Sequence, residues 1–169
     1  GIIRPVALEL LDPVHIDPEG VFVTTPVATA ETGQVVVATP IANHSKAAAM
    51  AELVSAIIDP SGREVARAVT RQRIPAGGRA TFADTLAISR PSLWSTETPS
   101  LYRLAQTVSV AGRRVDARAT RFGIRTVTFD ARQGLQVNGK PVKMRGGNIH
   151  HDNYMLGAAG WPDADARKV

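Results

Sequence analysis

Alternation of apolar and polar residues with a period of two runs through most of this chain, in short stretches separated by turn residues. Residues 5–11 alternate until Asp12-Pro13 interrupts them. Residues 21–29 make a second run, in which Pro26 lacks an amide hydrogen and so predicts an edge position or a bulge. A third run rich in Val covers residues 33–43, and a fourth covers 48–58. Asp59-Pro60-Ser61-Gly62 then has the composition of a hairpin turn, because Pro presets φ and Gly takes positive φ freely. The fifth run, 64–72, is closed by Pro75-Ala76-Gly77-Gly78. Across residues 80–88, Thr81, Ala83 and Thr85 alternate with Phe82, Leu86 and Ile88. Two last runs, 102–110 and 114–120, flank Ala111-Gly112-Arg113, which reads as a tight hairpin. The Ala and Leu content of residues 45–58 also permits a helix, but strand neighbours and the terminating Pro-Gly turn favour a strand.

About seven short strands with a turn signal roughly every ten residues predict an all-β fold, an immunoglobulin-like antiparallel sandwich. The texture changes after Phe122. Asn138-Gly139 is the strongest short hairpin signal in the chain and predicts that residues 135–137 pair with 142–145. Beyond Gly146-Gly147 the chain turns polar and irregular, with a helix start at Pro162 followed by Asp163 and Asp165. A first residue that is Gly1 rather than Met, and a helix that would stop in its first turns at Val169, lead to the expectation of a piece of a longer protein.

Composition narrows the classes further. The 169 residues are 44% hydrophobic and 21% charged with no Cys, which excludes a disulfide scaffold and a Cys-based zinc site. No apolar run approaches the ~20 residues of a membrane helix, so no membrane role is expected. Gly1-Ile2-Ile3-Arg4-Pro5 does not follow the charged-then-apolar plan of a signal peptide, and the absence of Cys fits any compartment. The net charge of +5 is uneven: residues 1–60 sum to −5, residues 61–125 to +8 and the remainder to +2. The basic middle raises nucleic-acid binding. However, Arg63, Arg67, Arg71 and Arg73, then Arg113, Arg114, Arg118 and Arg121, lie in alternating stretches without interleaved aromatics for stacking bases. Solvated outer strand faces, or a surface that meets an acidic neighbour, are the better reading, and no nucleic-acid partner is expected.

One dense polar constellation is present, Arg145-Gly146-Gly147-Asn148-Ile149-His150-His151-Asp152-Asn153, directly after a strand. Polar side chains at such a position can converge on a ligand. A metal site would need further ligands, and the remaining histidines, His15 and His44, lie elsewhere; adjacent His residues on extended backbone also point to opposite faces, so no metal is expected. A serine-nucleophile site lacks the Gly-x-Ser-x-Gly elbow. Gly146-Gly147 lacks the Lys and Ser/Thr of a phosphate-binding loop, and no cofactor is implied. A capped loop whose His and Asp satisfy local backbone groups stands as the plain alternative. Trp94 and Tyr102, bracketing Pro99, read as packing for a loop, with sugar stacking by Trp94 as the other possibility.

Five segments, in order, resemble glycoside hydrolase family 2, the β-galactosidase, β-glucuronidase and β-mannosidase group. They are Gly1-Ile2-Ile3-Arg4-Pro5-Val6, Leu93-Trp94-Ser95-Thr96-Glu97-Thr98-Pro99-Ser100-Leu101-Tyr102, Arg121-Phe122-Gly123-Ile124-Arg125-Thr126-Val127, Val137-Asn138-Gly139-Lys140-Pro141-Val142 and Arg145-Gly146-Gly147-Asn148-Ile149-His150-His151-Asp152. The resemblance implies that residues 1–8 end a linker from a sugar-binding domain, that 9–127 form the sandwich, and that 128–169 are a hairpin and the start of a (β/α)₈ barrel whose first strand is 141–147. It implies substrate-binding roles for His150 and Asp152 at the barrel mouth, with Asn148 supporting their loop, in line with the placement of barrel active sites at strand C-termini. Many relatives have Val in place of Gly147 and Glu in place of His151; the His-His-Asp version followed by Leu156-Gly157-Ala158-Ala159 favours the β-galactosidase-like branch.

The implied chemistry is retaining hydrolysis of terminal β-glycosides by two carboxyl groups about 5–5.5 Å apart. The family places both Glu on later barrel strands, whereas the last Glu of this chain is Glu97, so no catalytic residue and no turnover are expected here. The implied partners are a β-galactoside or related sugar and the neighbouring sugar-binding and barrel domains. The alternative is an autonomous carbohydrate- or protein-binding sandwich without hydrolase activity.

Overall fold

The computed structural model describes residues 6–147. Eleven strands and no helix occupy these residues, and all ladders are antiparallel. The strands are β1 (Val14–Ile16), β2 (Phe22–Ala28), β3 (Thr32–Asn43), β4 (Ala49–Ile58), β5 (Glu64–Ile74), β6 (Arg79–Ser89), β7 (Tyr102–Val110), β8 (Arg113–Phe122), β9 (Val127–Asp130), β10 (Gly134–Val137) and β11 (Lys140–Pro141). They form one compact body, residues 11–142; residues 6–10 and 143–147 carry no regular secondary structure.

The predicted sandwich is what these strands build. In the first sheet β3 pairs with β6 along its length, and on separate stretches with β2 and β1. The second sheet has the order β5-β4-β7-β8. Sequential strands change sheet at β3 to β4, β5 to β6 and β6 to β7, which gives the crossed connections of an immunoglobulin-like domain. Tyr102, at the start of β7, is 3% exposed and its hydroxyl accepts a 2.9 Å hydrogen bond from the Ser92 amide. That is the tyrosine corner by which such domains pin the loop entering this strand.

Period-two alternation sends one face of each strand inward. On β3, Val35, Val37, Thr39 and Ile41 are buried, and on β6 Phe82, Asp84, Leu86 and Ile88. The core has two apolar halves, one around Ile16, Ile41, Leu53, Ile74 and Phe82, the other around Val35, Ile57, Leu104 and Ile124. A polar waist lies at the middle of the strands. Ser55 donates to Asp84 at 2.7 Å, Thr70 donates to Asp84 at 2.6 Å, and Gln106 donates to Thr39 at 2.7 Å and to Ser55 at 3.1 Å. This chain of bonds joins three strands of the second sheet to two of the first, and it offsets the desolvation of a carboxylate that is 5% exposed.

The turns follow their composition. Asp59 accepts from the Ser61 and Arg63 amides and Gly62 takes φ 87°, closing β4 onto β5. Ala111 and Gly112 both adopt positive φ, 51° and 77°, as do Asn138 and Gly139, 51° and 72°. These are two-residue hairpins whose twist matches the flanking strands. Pro26 falls in the register shift between Thr24 and Val27, so the expected bulge is present on a strand that pairs on one side.

Two expectations are corrected, and one further strand is found. Residues 6–10 form no strand despite their alternation, and the first strand lies after Asp12-Pro13 at Val14–Ile16. Alternation supplies two faces but not a partner, and the β3 edge is filled by β1 and β2. The Asn138-Gly139 hairpin pairs Val137 with Lys140 and Gln136 with Pro141, and of the expected residues 142–145 only Val142 takes part, its amide donating to the Leu135 carbonyl at 2.8 Å. A two-residue turn forces the very next residue into register, so the returning strand begins at once. Residues 142–147 carry no regular secondary structure. An additional strand, β9, completes a three-stranded meander with β10 and β11.

Candidate functional site

The candidate substrate residues Asn148, His150 and Asp152 lie outside the described residues. The start of their segment is described. At Gly146 and Gly147 an added Cβ would meet nothing within 4 Å, so packing in this structure does not demand glycine at either place.

A polar assembly close in sequence to that segment is built around Asn138. Its side-chain carbonyl accepts from the Thr126 amide at 3.0 Å, its side-chain amide donates to the Trp94 carbonyl at 2.9 Å, and its backbone amide donates to the Thr126 carbonyl at 3.0 Å. One residue therefore satisfies the positive-φ turn and also ties the β9–β11 meander to the loop between β6 and β7. Trp94 is held from several sides: its amide donates to the Ile124 carbonyl at 2.9 Å and the Arg125 guanidinium lies 4.4 Å from its ring centroid. A Cβ on Gly123 would come within 2.7 Å of the Trp94 Cβ, so this glycine is needed for close approach. Trp94 thus packs its loop, and a cation–π contact occupies one face of the ring. On the other side of this segment the Thr25 hydroxyl donates to the Arg125 carbonyl at 2.7 Å, using the β2 bulge as an anchor.

A groove of about 580 Å³ opens between the loop at Leu93 to Thr98 and the hairpin, bordered by Glu97, Asn138, Lys140 and Val142. Among the described residues, Glu97 is the one carboxylate on its wall. The Thr96 hydroxyl, then the loop backbone and the Ser95 hydroxyl, hold the Glu97 carboxyl below its ordinary range, with the Lys140 charge acting in the same direction. An ionised, exposed carboxylate of this kind can accept hydrogen bonds but is poorly suited to donate a proton near neutral pH. Among the described residues, two carboxyl groups at the spacing of a retaining glycosidase do not meet in this groove.

His15 and His44 stack at 5.3 Å between ring centroids, and the His15 Nδ1 lies 2.7 Å from the Asp12 carbonyl oxygen. No cluster of three or more His, Cys, Asp or Glu side chains occurs among the described residues. The Asn138 and Trp94 assembly has no short-range signature, since its members are 44 and 12 residues apart. The Asn138-Gly139 pair marks the turn but not the use of the Asn side chain.

The sandwich topology and the tyrosine corner define an immunoglobulin-like β-sandwich. The sequence profile of Glycosyl hydrolases family 2 matches residues 14–125. This chain belongs to that family. It is 35% identical over 159 residues to Beta-galactosidase BoGH2A of Bacteroides ovatus, covering 94% of this chain and 19% of that protein. It is 27% identical to a Beta-glucuronidase of Formosa agariphila, over 96% of this chain and 18% of the relative. Among solved structures, a glycosyl hydrolase family 2 member from Bacteroides cellulosilyticus superimposes with a TM-score of 0.84 at 35% identity, covering 94% of this chain and 20% of that one. Bacteroides uniformis beta-glucuronidase 2 superimposes with a TM-score of 0.83 at 26% identity, over 94% and 20%. The chain thus spans about a fifth of the length of the relatives it matches.

Proposed function

We propose that this chain is the structural sandwich module of a family 2 retaining glycoside hydrolase of the β-galactosidase-like branch. In this reading the whole protein hydrolyses terminal β-glycosides, and residues 9–127 hold a preceding sugar-binding domain, reached through residues 1–8, against a barrel begun by residues 128–169. Asn148, His150 and Asp152 serve the terminal-sugar pocket of that barrel, and the two catalytic Glu belong to later barrel strands. The supporting observation is the 35% identity to Beta-galactosidase BoGH2A along 94% of this chain. The Trp94 and Asn138 clasp fits the role, because it makes the hairpin leading toward residue 148 a rigid continuation of the sandwich.

The test has two parts. The purified 169-residue chain should not hydrolyse nitrophenyl β-galactoside, and dose-dependent turnover that survives repurification would overturn the module reading. In the longer protein, Asp152→Ala should abolish most activity toward the galactoside while leaving the melting temperature of the 169-residue chain unchanged. A parent that cleaves the β-glucuronide but not the β-galactoside would refute the branch assignment.

A further inference from the structure

The outward face of the second sheet carries arginines in an arrangement that the isolated sandwich does not neutralise. Across β7 and β8, Arg103 stands directly opposite Arg121, and both are exposed. Like charges in directly opposed positions are unfavourable. No acidic side chain among the described residues reaches either one, and the same holds for Arg73 and Arg114 near the other end of the sheet. By contrast, Arg67 is paired with Glu64 at 2.8 Å and Arg71 with Glu52 at 2.6 Å. The face contains acids where it uses them, so the unpaired arginines are a local property and not a shortage of carboxylates.

Between the two ends the floor is low and apolar. The registers set Ala56, Ala105 and Ala119 side by side across β4, β7 and β8, with Val54, Thr107 and Ala117 in the adjoining row. Small side chains let a second surface approach the sheet closely. From Arg103 to Ser109, which is opposite Arg114, the strand advances six residues, about 20 Å at roughly 3.4 Å per residue.

We infer that this face docks an acidic protein surface, one that presents two groups of carboxylates about 20 Å apart with small apolar side chains between them. Guanidinium groups match carboxylates in a two-pronged geometry and tolerate desolvation better than ammonium groups. The apolar floor gains from burial against protein. It offers a nucleic acid no aromatic platform, since none of the outward positions on β4, β5, β7 or β8 up to Arg121 is Phe, Tyr or Trp. Docking would relieve the repulsion between Arg103 and Arg121.

Two measurements test this on the 169-residue chain. The first is calorimetric titration with short poly-L-glutamate at low salt, comparing Arg103→Glu/Arg121→Glu with Arg132→Glu/Lys140→Glu, which changes the net charge equally away from this face. The first variant should bind roughly tenfold more weakly than the second. Equal weakening, no binding by the unmodified chain, or tighter binding of a short DNA duplex through the same arginines would overturn the proposal. The second measurement needs no ligand: Arg121→Gln should raise the melting temperature at low salt, and the rise should shrink as salt is added. An unchanged or lowered melting temperature would show that the arginine pair is already neutralised and would likewise overturn it.

Discussion

Asp84 on β6 and Ser55 on β4 join the two sheets through a 2.7 Å hydrogen bond from the serine hydroxyl to the carboxylate. The bond lies between the two apolar halves of the core, where an unpaired polar atom is expensive. Removing the acceptor by Asp84→Ala would strand the hydroxyls of Ser55 and Thr70 as well as leave a cavity, an expected loss of roughly 3 kcal/mol. Asp84→Asn keeps the shape and one acceptor and should lose less. Urea denaturation should show a lower midpoint at an unchanged slope; a loss below about 1 kcal/mol for the Ala variant would mean that the waist contributes little.

The Asn138 clasp separates two roles of one side chain. Asn138→Gly retains the positive φ but forfeits both side-chain hydrogen bonds, and should cost about 1–2 kcal/mol; Asn138→Ala adds backbone strain and should cost more. If both variants melted like the unmodified chain, the meander would not depend on the loop between β6 and β7.

Gly123→Ala places a methyl group 2.7 Å from the Trp94 Cβ. The ring would have to leave its position against Arg125. An expected loss of about 1–3 kcal/mol should be accompanied by a shift in tryptophan emission. Unchanged emission would show that the neighbouring backbone, not the ring, gives way.

The β4–β5 turn should be acid-sensitive. The Ser61 hydroxyl and then the Arg63 amide hold the Asp59 carboxyl below its ordinary value, and a hydrogen bond from Arg67 does the same for Glu64. A carboxyl with a lowered folded-state pKa contributes stability that is present above its unfolded value and is lost as pH falls through the folded value. Carboxyl NMR titrations should therefore place both midpoints below the usual Asp and Glu values, and Asp59→Asn should flatten the acid limb of the stability curve. Midpoints at the ordinary values would remove the basis for this dependence.

Strand positions were legible because each run between Val21 and Thr120 alternates and is bounded by a turn of defined chemistry. The waist was also within reach. Asp84 shares the parity of Phe82, Leu86 and Ile88, and an acid on the apolar parity of a strand signals a buried partner. Residues 6–10 misled because alternation is a property of one segment, whereas a ladder requires a free edge on another. The Trp94, Arg125 and Asn138 contacts join segments 31 and 44 residues apart and leave no periodic trace. For Asn148, His150 and Asp152 the motif is readable but its geometry lies outside the described residues.

The arginines of β5 and β8 have one more consequence. These two strands, 11 and 10 residues long, are the borders of the second sheet, and each has a hydrogen-bonded strand neighbour on one side. Long uncapped borders invite chain-to-chain strand addition and fibril growth. Dense cationic side chains on both, with Pro26 interrupting the solvent side of β2, make each approach of a like strand repulsive or misaligned. The same residues that reach for an acidic neighbour therefore act as gatekeepers against self-polymerisation.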